Sequence, residues 1–116
     1  MALGRIISLS ILVFCLAGVV VAAEETFLAD AAESRQTTLV RTLLHDGVDV
    51  NAPQVDGMTA LHWAAYHDDT EIAGLLVRSG ADVNAANRYG VTPLFLASTN
   101  ANVELVTLLL ASGADV

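Results

Sequence analysis

The sequence repeats itself at a fixed spacing, and this period restricts the possible folds more than any other feature. The triplet Asp49-Val50-Asn51 returns as Asp82-Val83-Asn84, and Asp115-Val116 begins it a third time. The same shift aligns Gly57-Met58-Thr59-Ala60-Leu61 with Gly90-Val91-Thr92-Pro93-Leu94. A fixed spacing of about 20–50 residues is typical of stacked arrays, in which one repeat cannot bury its apolar face alone. We therefore predict repeats at residues 24–56, 57–89 and 90–116, of which the third is incomplete.

Apolar spacing within a repeat predicts two short helices, so the expected fold is an all-α solenoid of helix-turn-helix units. In repeat two, one helical face carries Leu61, Ala64 and Ala65 at positions i, i+3 and i+4. A second face in the same repeat carries Ile72, Leu75 and Leu76. Repeat three shows the same pattern at Leu94, Ala97 and Ser98, and then at Leu105, Leu108 and Leu109.

Capping residues place the ends of these helices. Thr59 and Thr92 stand where an N-cap hydroxyl would bond free backbone N–H groups, and Pro93 follows at the first helical position. A glycine after each second helix suits a left-handed C-terminal cap; these are Gly47, Gly80 and Gly113. The segments between helix pairs, at residues 52–56 and 81–89, are rich in turn-forming side chains. We expect them to form extended, hairpin-like fingers.

The N-terminal segment, residues 1–23, has the pattern of an export signal. Arg5 precedes an apolar run from Ile6 to Val21, and the small residues Ala22 and Ala23 then suit a signal peptidase. We expect cleavage after Ala23. The alternative is an uncleaved membrane anchor, because residues 6–23 as a helix would span about 27 Å of a core about 30 Å thick. Either version predicts that the repeats lie outside the cytoplasm, in a periplasm or an extracellular space.

Charge and cysteine content exclude several kinds of partner and chemistry. Behind the leader, 13 acidic residues and four arginines give a formal charge of −9, which disfavours nucleic acid and favours solubility. Membrane contact is expected only through residues 6–23, if the leader is retained. Cys15 is the only cysteine and lies in the apolar run. A cleaved chain would therefore have no thiol for a disulfide, a metal or a nucleophile.

The central motif resembles the ankyrin repeat, whose signature T-P-L-H-x-A recurs at intervals of about 33 residues. It reads Thr59-Ala60-Leu61-His62-Trp63-Ala64-Ala65 and is followed by Gly80-Ala81-Asp82-Val83-Asn84. The segment from Thr92 to Ala97 matches again, with phenylalanine in place of the histidine, and repeat one is more divergent. The resemblance implies a module that binds other proteins through its finger tips and the exposed, concave face of its first helices.

Departures from the family pattern carry further expectations. The glycine usual between paired helices is Asp68 in repeat two and Ala101 in repeat three, and aspartate tolerates a left-handed backbone better. The sequence therefore predicts the loop from Thr99 to Asn102 least well. The polar leading helix of repeat one suits an outer end of a stack. The last helix has no such polar side, and as the end of the array it would leave Leu105, Val106, Leu108, Leu109 and Leu110 facing water. We therefore expect that further repeats followed Val116.

No arrangement of residues indicates catalysis, a metal site or a cofactor. Histidine titrates near neutral pH, which makes His62 a candidate, but the resemblance assigns it a bonding role beside Thr59, and Trp63 is expected to pack. Three histidines, His45, His62 and His67, and the aspartates Asp46, Asp68 and Asp69 lack the i, i+4 spacing of a zinc motif. Of these, His45-Asp46 lies in a different repeat from His67-Asp68-Asp69. Nucleophile and phosphate-loop motifs do not occur in the sequence. We expect a chain that is not an enzyme.

Carrying the resemblance over residue by residue gives a predicted protein-binding surface. Its members are Val55, Asp56, Met58, Tyr66, His67, Arg88, Tyr89, Val91, Thr99 and Asn100. The leading hypothesis is an exported interaction module, in a bacterial periplasm, with a protein partner that the sequence does not name. One alternative is a regulatory or targeting arm of a larger protein whose catalytic part lies beyond Val116. Another is a membrane-tethered spacer, which requires that the apolar leader persists.

Overall fold

A computed structural model describes residues 23–116 of the chain, with side chains from residue 28 onward. These residues form six α-helices and no strand: α1 Ala23–Glu33, α2 Thr37–His45, α3 Ala60–Tyr66, α4 Thr70–Arg78, α5 Pro93–Thr99 and α6 Val103–Ala111. The predicted all-α array of helix pairs is thus confirmed. The leader predicted at residues 1–23 and Cys15 lie outside the described residues, except that Ala23 begins α1. No helix within residues 23–116 has both the length and the apolarity needed to cross a membrane.

The helices form two layers because equivalent helices of neighbouring repeats pack side by side. In the first layer α3 lies between α1 and α5, and in the second layer α4 lies between α2 and α6. Each pair also packs internally, α1 on α2, α3 on α4 and α5 on α6. Each repeat therefore completes its core with residues of its neighbours, as expected for a stacked array.

The core combines alanines, most of which lie in the first layer, with large side chains from both layers. The first helices bury alanines at their contacts, including Ala32, Ala64, Ala65 and Ala97, and this lets the helices approach closely. The second helices bury branched side chains, namely Val40, Leu43, Ile72, Leu76, Leu105 and Leu109. The predicted Leu75 and Leu108 occupy equivalent positions in α4 and α6 and are only half-buried.

Two predictions about burial are wrong. Ser98 is exposed, because it turns away from the face of α5 that buries Leu94 and Ala97. In α6, Leu105 and Leu109 are fully buried instead of facing water. Helices α4 and α5 both pack on α6 and cover these two leucines.

The predicted capping residues are confirmed, and two more appear. The hydroxyls of Thr59 and Thr92 accept hydrogen bonds from backbone N–H groups at the starts of α3 and α5, and Pro93 is the first residue of α5. Asp69 and Asn102 cap α4 and α6 in the same way, each accepting from a backbone N–H three residues on at 3.0 Å. Each of these four helices is therefore preceded by a residue whose side chain accepts a hydrogen bond from a backbone N–H group that has no partner within the helix.

The turns between paired helices all have a left-handed residue that is not glycine. Arg35, Asp68 and Ala101 have φ angles of 59°, 58° and 57°. The loop that the sequence predicted least well thus has the same backbone conformation as the other two. Because a side chain at such a φ meets the following carbonyl, each position stores about 1–2 kcal/mol of strain.

The two fingers are tight turns, as expected, and are hairpin-like without forming strands. The first is closed by a hydrogen bond from the N–H of Gln54 to the carbonyl of Met58, at 2.8 Å. The second is closed by the equivalent bond from the N–H of Asn87 to the carbonyl of Val91, at 3.0 Å. The N–H of Arg88 also donates to the carbonyl of Asp56 at 2.9 Å, so the backbones of the two fingers are paired.

Candidate protein-binding surface

Hydrogen bonds tie the fingers to the first layer of helices and make one continuous surface. Gln54 of the first finger accepts a bond from the indole N–H of Trp63 in α3, at 2.8 Å. The ring of His62, also in α3, bonds the carbonyl of Val91 beside the second finger, also at 2.8 Å. We use the term first-helix surface for the outward sides of α1, α3 and α5 together with the fingers, residues 52–58 and 85–91.

Four of the predicted binding residues are well exposed on this surface. Val55 is 94% exposed at the tip of the first finger, and Tyr89 is 75% exposed at the tip of the second. Tyr66, at the end of α3, is 55% exposed, and Arg88 is exposed beside Tyr89. Aromatic side chains and arginine are the residue types enriched at the centres of protein interfaces. Whether these four bind a partner stays a prediction.

Met58 has to be removed from the predicted surface. Its side chain is only 8% exposed, because the first finger folds it inward against the next repeat. There the sulfur lies 3.4 Å from the side-chain nitrogen of Asn87, which can donate to it. Met58 therefore supports the second finger from beneath and is not available to a partner.

Three further predicted residues are half-buried and already bonded. A carboxylate oxygen of Asp56 accepts the N–H of Met58 at 3.1 Å, which tightens the first finger. The carbonyl of Val91 accepts the bond from His62. Nε2 of His67 lies 2.8 Å from the carbonyl of Glu33, across the contact between repeats one and two. These three residues therefore stabilise the surface through bonds within the protein, and their side chains are less exposed than those of the first four.

Thr99 and Asn100 are exposed, but their side chains bond the protein itself. The hydroxyl of Thr99 donates to the carbonyl of Phe95, one turn earlier in α5, at 2.9 Å. The amide of Asn100 donates to the carbonyls of Ala65 and Tyr66 at 3.2 and 3.0 Å. Asn100 thus supplies an additional donor to carbonyl groups at the C-terminal end of α3, where the last carbonyls of a helix lack partners in the next turn.

An aromatic cluster forms the centre of the first-helix surface. The rings of Trp63 and Tyr66 meet edge to face with centroids 5.5 Å apart, and His67 stacks on Trp63 at 5.8 Å. Tyr66 and His67 also meet edge to face, at 5.2 Å. Such contacts fix the side chains, so the exposed ring of Tyr66 is held in place before any partner arrives.

Gln54 joins this cluster to two carboxylates, and the sequence analysis did not identify it. Its amide nitrogen donates to Asp30 at 2.7 Å and to Glu33 at 3.0 Å, while its oxygen accepts from Trp63. One side chain of the first finger thus bonds both α1 and α3. The register of the repeats aligns Gln54 with Asn87, whose amide also organises a finger, and that alignment was the available signal.

A cation also lies on this surface, at the second finger. The guanidinium of Arg88 lies 5.9 Å from the centroid of the Tyr89 ring, within the range of a cation–π contact. It also lies 3.4 Å from the carbonyl of Val55 in the other finger. The first-helix surface is therefore acidic near α1 and basic near the second finger.

His62 joins two repeats and is fully buried. Its Nδ1 accepts the backbone N–H of Thr59 at 3.0 Å and lies 2.9 Å from the hydroxyl of the same residue. Nε2 therefore carries the proton and donates it to the carbonyl of Val91 in repeat three. Burial lowers the pKa of His62 below its usual value, against the opposing effect of the Val91 hydrogen bond and of the charge on Asp56.

This environment explains why His62 is a structural residue. Both ring nitrogens are engaged with the backbone, and neither reaches the solvent where a substrate could bind. No group of three or more metal-ligating side chains occurs within the part of the chain that the structure describes. The sequence analysis expected the bond to Thr59 but not the bond to Val91, which depends on how the repeats stack.

The stacked helix pairs and bonded fingers define a helical repeat protein that presents one extended surface. A family model for ankyrin repeats, in three copies, matches residues 28–116, and the chain belongs to that family. A search of curated proteins found no match. Ankyrin repeats generally act as protein–protein interaction modules and are typically not enzymes.

Phe95 is an exposed aromatic residue that the predicted surface omitted. It stands in α5 at the position that His62 holds in α3, and it is 59% exposed whereas His62 is buried. The resemblance presented it only as a substituted motif residue, so the sequence analysis made no prediction of its exposure. Its exposure extends the first-helix surface along α5.

Proposed function

We propose that this chain is an exported protein-binding module that holds its partner across the first-helix surface. The observation that carries the proposal is the set of large side chains at Val55, Tyr66, Arg88 and Tyr89, which project from a fixed backbone. None of them belongs to the buried core. Large aromatic and arginine side chains of this kind supply most of the binding energy in many interfaces.

Rigidity of the fingers supports the same proposal. Each finger is closed by a backbone hydrogen bond, and the bond from Arg88 to Asp56 pairs one finger with the other. A surface that is already ordered loses little conformational entropy when a partner binds. The side chains at the finger tips can therefore contribute to affinity without first having to order a loop.

Replacing Tyr66, Arg88 and Tyr89 together by alanine tests the site. The Arg88 hydrogen bond to Asp56 uses backbone atoms, so the circular dichroism should stay unchanged while capture of the partner from the exported fraction falls at least about tenfold. Matched control positions lie in the second layer, where Arg78, Val103 and Leu110 are also exposed. Replacing these three by alanine should leave capture intact. Undiminished capture by the first variant refutes the site.

Export is the second part of the proposal and rests on the sequence of residues 1–23. A charged head, an apolar run and a small-residue exit favour a secretory signal. Mass spectrometry of the chain recovered from an exported fraction tests it. A mass that begins at Glu24 supports a cleaved signal, and a mass that begins at Met1 supports an anchored form. Recovery only from the cytoplasm contradicts both.

A further inference from the structure

Two carboxylates of α1 lie side by side at one end of the first-helix surface. Asp30 and Glu33 are one helical turn apart, and the single amide nitrogen of Gln54 donates to both of them. Among the side chains of residues 28–116, the one ion pair joins Arg41 to Glu71 on the second helices. The amide of Gln54 is neutral, and among the described side chains no cation forms an ion pair with Asp30 or Glu33.

The aromatic cluster begins directly beside these carboxylates. The amide of Gln54 that bonds the carboxylates also accepts the indole N–H of Trp63, at 2.8 Å. On the other side, His67 bonds the backbone of Glu33 and stacks on Trp63. Tyr66 completes the group through its contacts with Trp63 and His67 and is the most exposed of the three rings. Negative charge and an exposed aromatic side chain thus occur together on one patch.

We propose that this patch, made by Asp30, Glu33, Gln54, Trp63 and Tyr66, receives an arginine side chain from a basic segment of the protein partner. The inference rests on the proposed protein-binding function and specifies the kind of partner. A guanidinium can stack on an aromatic ring while its N–H groups bond carboxylates, and it keeps its charge in a partly dry interface. A lysine ammonium offers only a point charge for the same site.

Charge complementarity supports this choice of occupant. Residues 24–116 have a formal charge of −9, from 13 acidic residues and four arginines, so a basic segment is attracted from a distance. Arg88 adds a positive charge at the second finger of the same surface, above Tyr89. A bound segment is therefore expected to direct its basic end toward α1 and a neutral or acidic end toward the second finger.

Tryptophan fluorescence reads out the patch directly, because Trp63 is the only tryptophan in the chain. The full-length chain, kept in a non-ionic detergent, is titrated with a short peptide of alternating arginine and serine. Peptides with lysine or glutamate in place of arginine are titrated in parallel. We expect saturable changes in emission with the arginine peptide, weaker binding of the lysine peptide and no binding of the glutamate peptide.

A pair of double variants separates the patch from the overall charge of the chain. Asp30→Asn with Glu33→Gln keeps the acceptors for Gln54 and should raise the Kd for the arginine peptide about tenfold, with a weaker salt dependence. Asp115→Asn with Glu104→Gln changes the net charge equally at exposed positions away from the patch. This control should change the Kd less than about twofold. An equal effect of the two double variants overturns the inference, because binding would then depend on net charge alone.

Failure of this inference can be told from failure of the proposed function. If the arginine peptide binds no more tightly than the glutamate peptide, but the alanine variant of Tyr66, Arg88 and Tyr89 loses its partner, only the patch assignment is wrong. If that alanine variant keeps its partner, the binding surface itself is misplaced. Circular dichroism of all variants shows whether any loss comes from unfolding.

Discussion

His62 connects a helix start to the next repeat, and its protonation state therefore affects the stability of the array. Two donors of Thr59 converge on Nδ1, which must stay unprotonated to accept them. Burial lowers the pKa of His62 from 6.5, so the unfolded chain binds a proton more readily than the folded chain. The free energy of unfolding should thus fall as the pH decreases below about 6.5 and continue to fall until the lowered pKa is passed. The slope should reach at most about 1.4 kcal/mol per pH unit.

Urea denaturation at several pH values between about 7.5 and 5 measures this dependence, with histidine variants as controls. His62→Gln should lower stability by about 1–3 kcal/mol at pH 7.5, because it disturbs bonds to buried backbone groups. It should also remove the slope near pH 6. His45→Gln changes an exposed histidine at the end of α2 and should keep the slope. A slope that survives in His62→Gln shows that other groups cause it.

Ala101 takes a backbone conformation that suits glycine better. Its φ of 57° places the β-carbon against the following carbonyl, and it lacks the polar side chain that helps aspartate at the equivalent Asp68. Ala101→Gly should therefore raise the free energy of unfolding by about 1 kcal/mol. Ala86 is also exposed but has no positive φ, so Ala86→Gly should be neutral or destabilising. Thermal denaturation compares the two, and a loss of stability in Ala101→Gly contradicts the strain argument.

The fingers depend on close backbone contact at one glycine. A β-carbon on Gly57 would lie 2.9 Å from the α-carbon of Asn87, closer than such atoms approach, whereas nothing lies within 4 Å of the equivalent position on Gly90. Both glycines have positive φ angles, 89° and 77°, so alanine is strained to a similar degree at each. The comparison of Gly57→Ala with Gly90→Ala therefore isolates the contact between the fingers.

Gly57→Ala should lose about 1–3 kcal/mol more stability than Gly90→Ala, because it pushes the second finger away from the first. It should also break the hydrogen bond from the N–H of Arg88 to Asp56. Hydrogen exchange at the Arg88 amide checks this second effect, and exchange should accelerate only in the Gly57 variant. Equal stability losses in the two variants would show that the fingers tolerate separation.

Elements that depend on local sequence could be predicted, and those that depend on stacking could not. Thr59, Pro93 and Gly80 act on their own helices, so their residue types identified the helix ends. Met58 lies next to a finger tip in sequence, and only the packing of the following repeat buries it. Gln54 gave no local signal for its bonds to α1 and α3, because those partners lie at the start of the array or in the next helix. The sequence could therefore predict which side chains of the candidate surface are exposed, apart from Met58, while its supporting contacts were missed.

At the scale of the whole molecule, the repeats stabilise one another, because hydrogen bonds connect each repeat to the next. The side-chain oxygen of Asn51 accepts the N–H of Asp82 at 2.7 Å, and Asn84 accepts the N–H of Asp115 in the same way. Equivalent hydrogen bonds thus connect the segments that follow the second helices of successive repeats. In such a linear array, each repeat is stable only through its interfaces with its neighbours. A destabilising substitution in the middle repeat should therefore also destabilise the first and third repeats.

Leu76→Ala tests this sharing, since Leu76 is fully buried in α4 between α2 and α6. The cavity should lower the free energy of unfolding by about 2–5 kcal/mol. Leu110→Ala makes the same chemical change at a side chain that is 43% exposed and should cost less than about 1 kcal/mol. Hydrogen exchange should show the amides of α2 and α6 losing protection together with those of α4 in Leu76→Ala, because neither end keeps a complete core without repeat two. Retained protection in α2 or α6 would show that this part of the chain folds independently of the middle repeat.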